Sequence, residues 1–269
     1  MTLGNHEFDR GTGVLANFLR RASFPIVCAN LDFGDEPGLQ KLVQPSTILT
    51  VGGEKVGVVG AITPDLFSIT AALPSLSMKD LVGSVQSAVD SLTAAKVNKI
   101  ILLSHCGYLE DVELAAKLTN VDVIIGGHSH TPLGTLTLPG DRKSEGEYPT
   151  KAKSKSGEQV LVAQAWEWGK VFGRLQVRFN DKGQIISVPS ATPVVVDESV
   201  PEDPMMKATV DALAMPIMAL RKTKVTEATA ILDRANVRSG ESTMGALIAD
   251  AMLAKTSAQG VQLALMNPG

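Results

Sequence analysis

Four short runs, PIVCAN (25–30), KVGVVGAI (55–62), KIILLS (99–104) and VDVIIGG (121–127), are rich in β-branched and aliphatic residues and lack clean polar alternation. A strand with one wet face alternates, whereas a strand covered on both faces does not. The four runs therefore predict buried strands. Helical patterns lie between them. Across 78–96, Leu81, Val82, Val85, Val89 and Leu92 fall on one side, with the expected cap near Ser77 or Met78. LEDVELAAKLT (109–119) predicts a second helix. Strands and helices that take turns in this way specify an α/β layered fold.

After His130 the pattern changes. Residues 138–159 are rich in Gly, Pro, Ser and Lys and predict an exposed loop. Residues 159–188 alternate and contain a turn at NDKG, which predicts a β-hairpin at the edge of a mixed sheet. Trp166 and Trp168 are expected to pack that hairpin, as large aromatics usually do. An acidic, proline-bearing linker follows at 197–204, then a helix over 205–223 that Pro216 is expected to kink. A new element starts within 225–242. A second helix covers 242–255, with Met244, Leu247, Ile248 and Met252 at helical spacing, and 261–269 predicts a strand.

Composition narrows the function. Hydrophobic residues make up 44% of the 269, enough for a sizeable core, and the net charge is −3. That balance argues against a nucleic-acid or anionic-membrane binder, which carries a basic face. It leaves small phosphate substrates open, because a metal can supply positive charge locally. Cys28 and Cys106 are too few for a disulfide framework and predict two buried thiols. The start, MTLGNHEFDRGTG, has no basic segment followed by an apolar one, and no apolar run reaches membrane-spanning length. No membrane segment is expected, and oligomeric state is not legible.

The chain has four histidines: His6, His105, His128 and His130. His105 follows the run KIILLS, and GGHSH, with His128 and His130, follows VDVII. In open α/β sheets, ligands collect beyond the carboxyl ends of strands. Imidazole nitrogen suits borderline divalent metals such as Zn, Mn, Fe or Co. GNHEFD (4–9) adds Asn5, a neutral amide ligand, and His6 three residues before Asp9. A carboxylate at that spacing can fix the imidazole tautomer and stabilise the imidazolium, as a proton donor or transition-state stabiliser requires.

GNHEFD, SHCGY and GGHSHT, in this order, resemble the calcineurin-like metallophosphoesterases, and in wording the 5′-nucleotidase branch, which also includes UDP-sugar hydrolases. QAWEWGKVFGRLQVRF is similar to that branch's hairpin after the site. VRSGESTMGALIADAM and LALMNPG resemble the opening of its C-terminal nucleotide-binding domain. The resemblance implies a four-layer α-β-β-α metallophosphoesterase sandwich over 1–196, a linker with a helix over 197–224, and the start of an α+β nucleotide-binding domain over 225–269. It implies that Asn5, His105 and His128 bind one divalent ion and His130 a second. His6 and Asp9 become the catalytic pair, and Arg238 and Asn267 contact the nucleotide. It also implies two motifs ahead of residue 1, an Asp-x-His and a Gly-Asp whose carboxylate bridges the metals, and a continuation past residue 269. On that expectation the chain is a fragment that holds at most one ion well, with Asp32 a weak substitute for the bridging carboxylate.

The expected activity is metal-dependent hydrolysis of nucleoside 5′-monophosphates to nucleoside and phosphate. The alternatives are hydrolysis of UDP-sugars or 2′,3′-cyclic nucleotides, or a truncated, inactive metal-binding remnant. Relatives of this kind are often periplasmic or extracellular.

Overall fold

The computed structural model describes residues 1–70, 73–138, 142–233 and 240–266. Contacts divide the chain into two units, Met1–Val200 and Pro201–Gly269.

In the first unit the strands are β1 (Ile26–Val27), β2 (Leu31–Asp32), β3 (Val43–Gln44), β4 (Ser46–Val51), β5 (Glu54–Ile62), β6 (Ser77–Met78), β7 (Ile100–His105), β8 (Val123–Ile125), β9 (Thr150–Lys153), β10 (Gln159–Ala163), β11 (Val171–Phe179) and β12 (Ile185–Val195). The helices are α1 (Thr12–Leu19), α2 (Pro37–Gln40), α3 (Leu66–Ile69), α4 (Leu81–Ala94) and α5 (Tyr108–Lys117). The second unit holds α6 (Pro204–Arg221) and α7 (Thr243–Thr256). The α/β class is as expected.

Six strands form the main sheet in the order β4-β5-β7-β8-β10-β9. The four central strands run parallel, and β4 and β9 flank them antiparallel. The last six residues of β5 are all buried, which explains the missing alternation in KVGVVGAI. Helix α4 turns Leu81, Val85, Val89 and Leu92 into the core cluster that contains Val59, Leu102 and Ile124, and α5 adds Leu114 and Ala115. A second cluster gathers Leu3, Phe8, Leu15, Ile26, Leu39, Ile62 and Leu66 from the N-terminal segments. The remaining strands form three two-stranded ladders, β1-β3, β2-β6 and β11-β12. Cys28 and Cys106 are buried free thiols, and burial pushes both up to about 12.

Several local expectations need correction. The cap of α4 is Asp80, whose carboxylate accepts from Gly83 N at 2.6 Å, while Ser77 and Met78 pair with β2. A carboxylate at a helix start satisfies a free N–H and meets the positive end of the dipole. The hairpin is β11-β12 and runs from 171 to 195. QVLVA (159–163) instead joins the main sheet beside β8, because it is apolar on both faces. The predicted loop 138–159 contains β9, an edge strand masked by Lys151 and Lys153, residues that protect exposed edges.

In the second unit, Asp203 caps α6 by accepting from Met205 N and Met206 N, with Pro204 in the first turn and Pro216 inside the helix. Ser242 caps α7 through Gly245 N. Residues 261–266 form no strand, since no described strand of this unit is there to pair with them, and 267–269 lie outside the described residues. Among the described residues, no helix is long and apolar enough to cross a membrane.

The β1 segment crosses the main sheet at Gly60. Ala29 N donates to Gly60 O at 2.8 Å, and a Cβ on Gly60 would lie 2.1 Å from Val27 O. Backbone on both sides leaves no room to yield. Gly60→Ala is expected to lower the urea unfolding midpoint, costing about 1–3 kcal/mol. Gly13→Ala, in α1 with nothing near the new Cβ, is expected to gain about 0.5–1 kcal/mol.

Candidate active site

The first loop is anchored by its neighbours. Val27 N donates to Met1 O, and the Thr2 hydroxyl donates to Val27 O. The chain then enters a 3-10 turn, Asn5–Phe8, where Gly4 N donates to Glu7 Oε2 at 2.7 Å. Gly4 is required by packing, because a Cβ there would stand 2.8 Å from the His105 ring. A Cβ on Gly127 would lie 3.1 Å from the same ring. Backbone therefore approaches His105 from both the first and the third loop.

The structure brings the candidate donors together. Asn5 Oδ1 lies 2.9 Å from His105 Nε2, and the His105 and His128 ring centres are 5.1 Å apart. His105 ends β7; His128 and His130 follow β8 with left-handed φ of 73° and 52°. Burial, aided by the nearby His128, His6 and His130, pulls the His105 imidazole down to about 4. Burial and His130 also lower His128, with Asp65 opposing them. Both shifts favour the neutral form that binds metals.

His6 Nδ1 lies 2.9 Å from Asp9 Oδ2, and these side chains are 75% and 55% exposed. The carboxylate accepts, so Nδ1 carries the proton and Nε2 is left for a ligand. His130 Nδ1 stands 3.2 Å from Glu167 Oε2, whose other oxygen holds Lys170 Nζ at 2.6 Å. Lys170 sits over the rings of Trp166 and Trp168. Trp168 is 78% exposed and meets His130 edge-on, so it does not pack the hairpin as expected. Asp32 pairs with Lys79 and accepts from Gly34 N. Arg238 and Asn267 lie outside the described residues.

Among the described residues, no three His, Cys, Asp or Glu side chains converge as a metal site. The set that does converge is one amide and two neutral imidazoles. Two imidazoles bound at about 2.1 Å to one tetrahedral ion put their ring centres about 5 Å apart. The observed 5.1 Å spacing fits one such ion held by Asn5, His105 and His128.

Four contributors had no signal of their own in the sequence. Asp65 and Glu167 are carboxylates near the imidazoles, Asp111 is a carboxylate buried against Gly126, and Gln164 is a buried amide bonded to the 127–131 turn. The AWEWGK segment was legible only as hairpin.

Residues 1–132 match the family described as Calcineurin-like phosphoesterase. This segment is a calcineurin-like phosphoesterase domain. The chain is 36% identical over 258 residues to a snake venom 5′-nucleotidase of Naja atra, covering 94% of this chain and 49% of that protein. The crystal structure of a 5′-nucleotidase precursor from Thermus thermophilus superposes with a TM-score of 0.88 at 46% identity, over 97% of this chain and 52% of that one. A Haemophilus influenzae NAD nucleotidase superposes with a TM-score of 0.66 at 30% identity, over 80% and 40%. The chain spans about half the length of the relatives it matches.

Within the phosphoesterase domain, Asp111 is fully buried in the first turn of α5, and neither carboxylate oxygen has a hydrogen-bond partner. Burial pushes its carboxyl up to about 7, with the nearby Ser104 hydroxyl opposing and Glu110 adding to the shift. The unfolded chain releases this proton near pH 4, so the native state binds the extra proton between those values. Stability therefore falls as pH rises from about 4 through about 7. Asp111→Asn is expected to show a smaller drop in melting temperature between pH 5 and pH 8 than the parent, measured in EDTA. Equal drops in the two proteins would contradict this account.

Proposed function

We propose that the phosphoesterase domain hydrolyses phosphate esters of nucleotides, releasing phosphate from nucleoside 5′-monophosphates. The observation that carries this reading is the gathering of Asn5, His105 and His128 beside the paired His6 and Asp9. Asn5, His105 and His128 would hold one divalent ion of the Zn, Mn, Fe or Co class, and His130 would serve a second. A bound ion supplies positive charge to phosphoryl oxygens and makes a water more acidic. His6, oriented by Asp9, offers its free nitrogen to the phosphoryl or leaving-group oxygen. Arg238 and Asn267 are assigned to the nucleotide by resemblance. The names of the relatives support a nucleotide substrate, and the venom origin of one supports action outside the cytoplasm.

A second reading, a metal-binding remnant without turnover, is favoured by one observation: His130 is turned onto Glu167 and, among the described residues, no carboxylate joins the three donors. Phosphate release from AMP with Mn²⁺ or Zn²⁺ separates the two. Metal-dependent release is expected, lost on chelation. His6→Ala is expected to lower kcat by about 10²–10⁴-fold with metal content unchanged, and Asp9→Asn to lower it less. Metal uptake without phosphate release from AMP, a UDP-sugar or a 2′,3′-cyclic nucleotide decides for the remnant.

A further inference from the structure

Gln164 follows β10 and is 2% exposed. Its amide bonds three groups of one turn. Nε2 donates to Gly127 O at 3.0 Å; Oε1 accepts from Thr131 N at 2.5 Å and from Ser129 Oγ at 3.1 Å. These groups precede His128, separate His128 from His130, and follow His130. Each histidine therefore lies between two anchored residues.

The turn needs such anchoring. A non-glycine residue held in the left-handed region costs about 1–3 kcal/mol and persists only where its surroundings over-determine it. Both histidines are in that region. The turn has other ties, each to a single residue of it: Ser129 N donates to Gly127 O, Tyr108 N to Ser129 Oγ, Trp166 N to Thr131 O and the Arg142 guanidinium to His130 O, whereas Gln164 joins Gly127, Ser129 and Thr131 through one side chain. Close packing allows no alternative above the amide, since a Cβ on Gly126 would lie 3.2 Å from Gln164 Nε2. The turn presents a carbonyl on one side and donors on the other, and a carboxamide offers a donor and an acceptor in that sense. A leucine of similar size would leave the buried Thr131 N unpaired and would take away one of the two donors to Gly127 O.

We propose that Gln164 is a positioning residue for the metal donors: its amide fixes the 127–131 turn so that the His128 and His130 imidazoles are held beside Asn5 and His105. This rests on the hydrolase reading for its purpose, though not for its geometry. Gln164→Leu is compared with Val160→Ala, a core truncation on the preceding strand β10 whose side chain is fully buried. Both are expected to melt earlier than the parent. Mn²⁺ affinity, by calorimetry, is expected to fall about 10–100-fold in Gln164→Leu and to stay within about twofold in Val160→Ala. If Gln164→Leu does not fold, Gln164→Glu, which keeps the acceptor arm, takes its place. Equal Mn²⁺ affinity in the two variants would overturn the proposal. A second readout needs no metal: in EDTA, the ring signals of His128 and His130 should move in the Gln164 variant while those of His6 stay. If the parent takes up no Mn²⁺, the hydrolase reading falls, and unmoved His128 and His130 signals would then remove the positioning role as well.

Discussion

The register of β5, β7 and β8 decides whether the site exists. Ile62 pairs with His105, and Leu103 pairs with Ile125. Those pairings bring the end of β7 level with the start of the GGHSH turn and with the segment that leads to Asp65. Side chains alternate faces along a strand, so a slip of one residue would send His105 to the opposite side of the sheet. The buried, apolar character of these strands makes such a slip prohibitive, since it would also invert Ile101, Leu102 and Leu103. Core packing and donor placement are thus one constraint.

Backbone proximity completes the arrangement. Gly4 and Gly127 lie against the His105 ring, and no residue with a side chain fits at either place without moving the imidazole. This closeness removes water from the ring, which is the main reason its proton affinity is low. His6 and Asp9 are handled oppositely and stay open to solvent. The fold therefore separates two groups by burial: His105 and His128 are half-buried, and the His6–Asp9 pair is open to solvent.

The parts legible in the sequence were those fixed by nearby residues. β5, β7, β8, α4 and α5 follow from apolar runs and helical spacing, and the histidines stood out because they follow strands. The failures came where a distant partner decides. QVLVA looked like half of a hairpin until β8 covered its flank. The lysines of β9 hid a strand that only β10 defines. Trp168 looked like packing because an exposed tryptophan beside a histidine has no local signature. Gln164 bonds to residues more than thirty positions away, and Glu167 reaches His130 across a similar separation. Asp111 looked like one polar residue on a helix, and only the approach of Gly126, where a Cβ would lie 2.1 Å from its carboxylate, shows how closely it is enclosed.

Charge bears on the proposed cation site. The chain carries a net charge of −3. Around the donors stand Asp9, Asp65 and Glu167, while the half-buried His105 and His128 imidazoles are shifted toward their neutral forms and Lys170 is engaged by Glu167. A phosphate dianion approaching these groups alone meets repulsion at close range, and the half-buried setting leaves it weakly screened. On the proposed reading, a dication among Asn5, His105 and His128 would reverse the local sign with ligands that add no negative charge, so its full charge would be available to phosphoryl oxygens. An amide and two neutral imidazoles are a poor way to neutralise a metal and a good way to keep it electrophilic. Such a donor set is in keeping with the proposed hydrolysis of a phosphate ester.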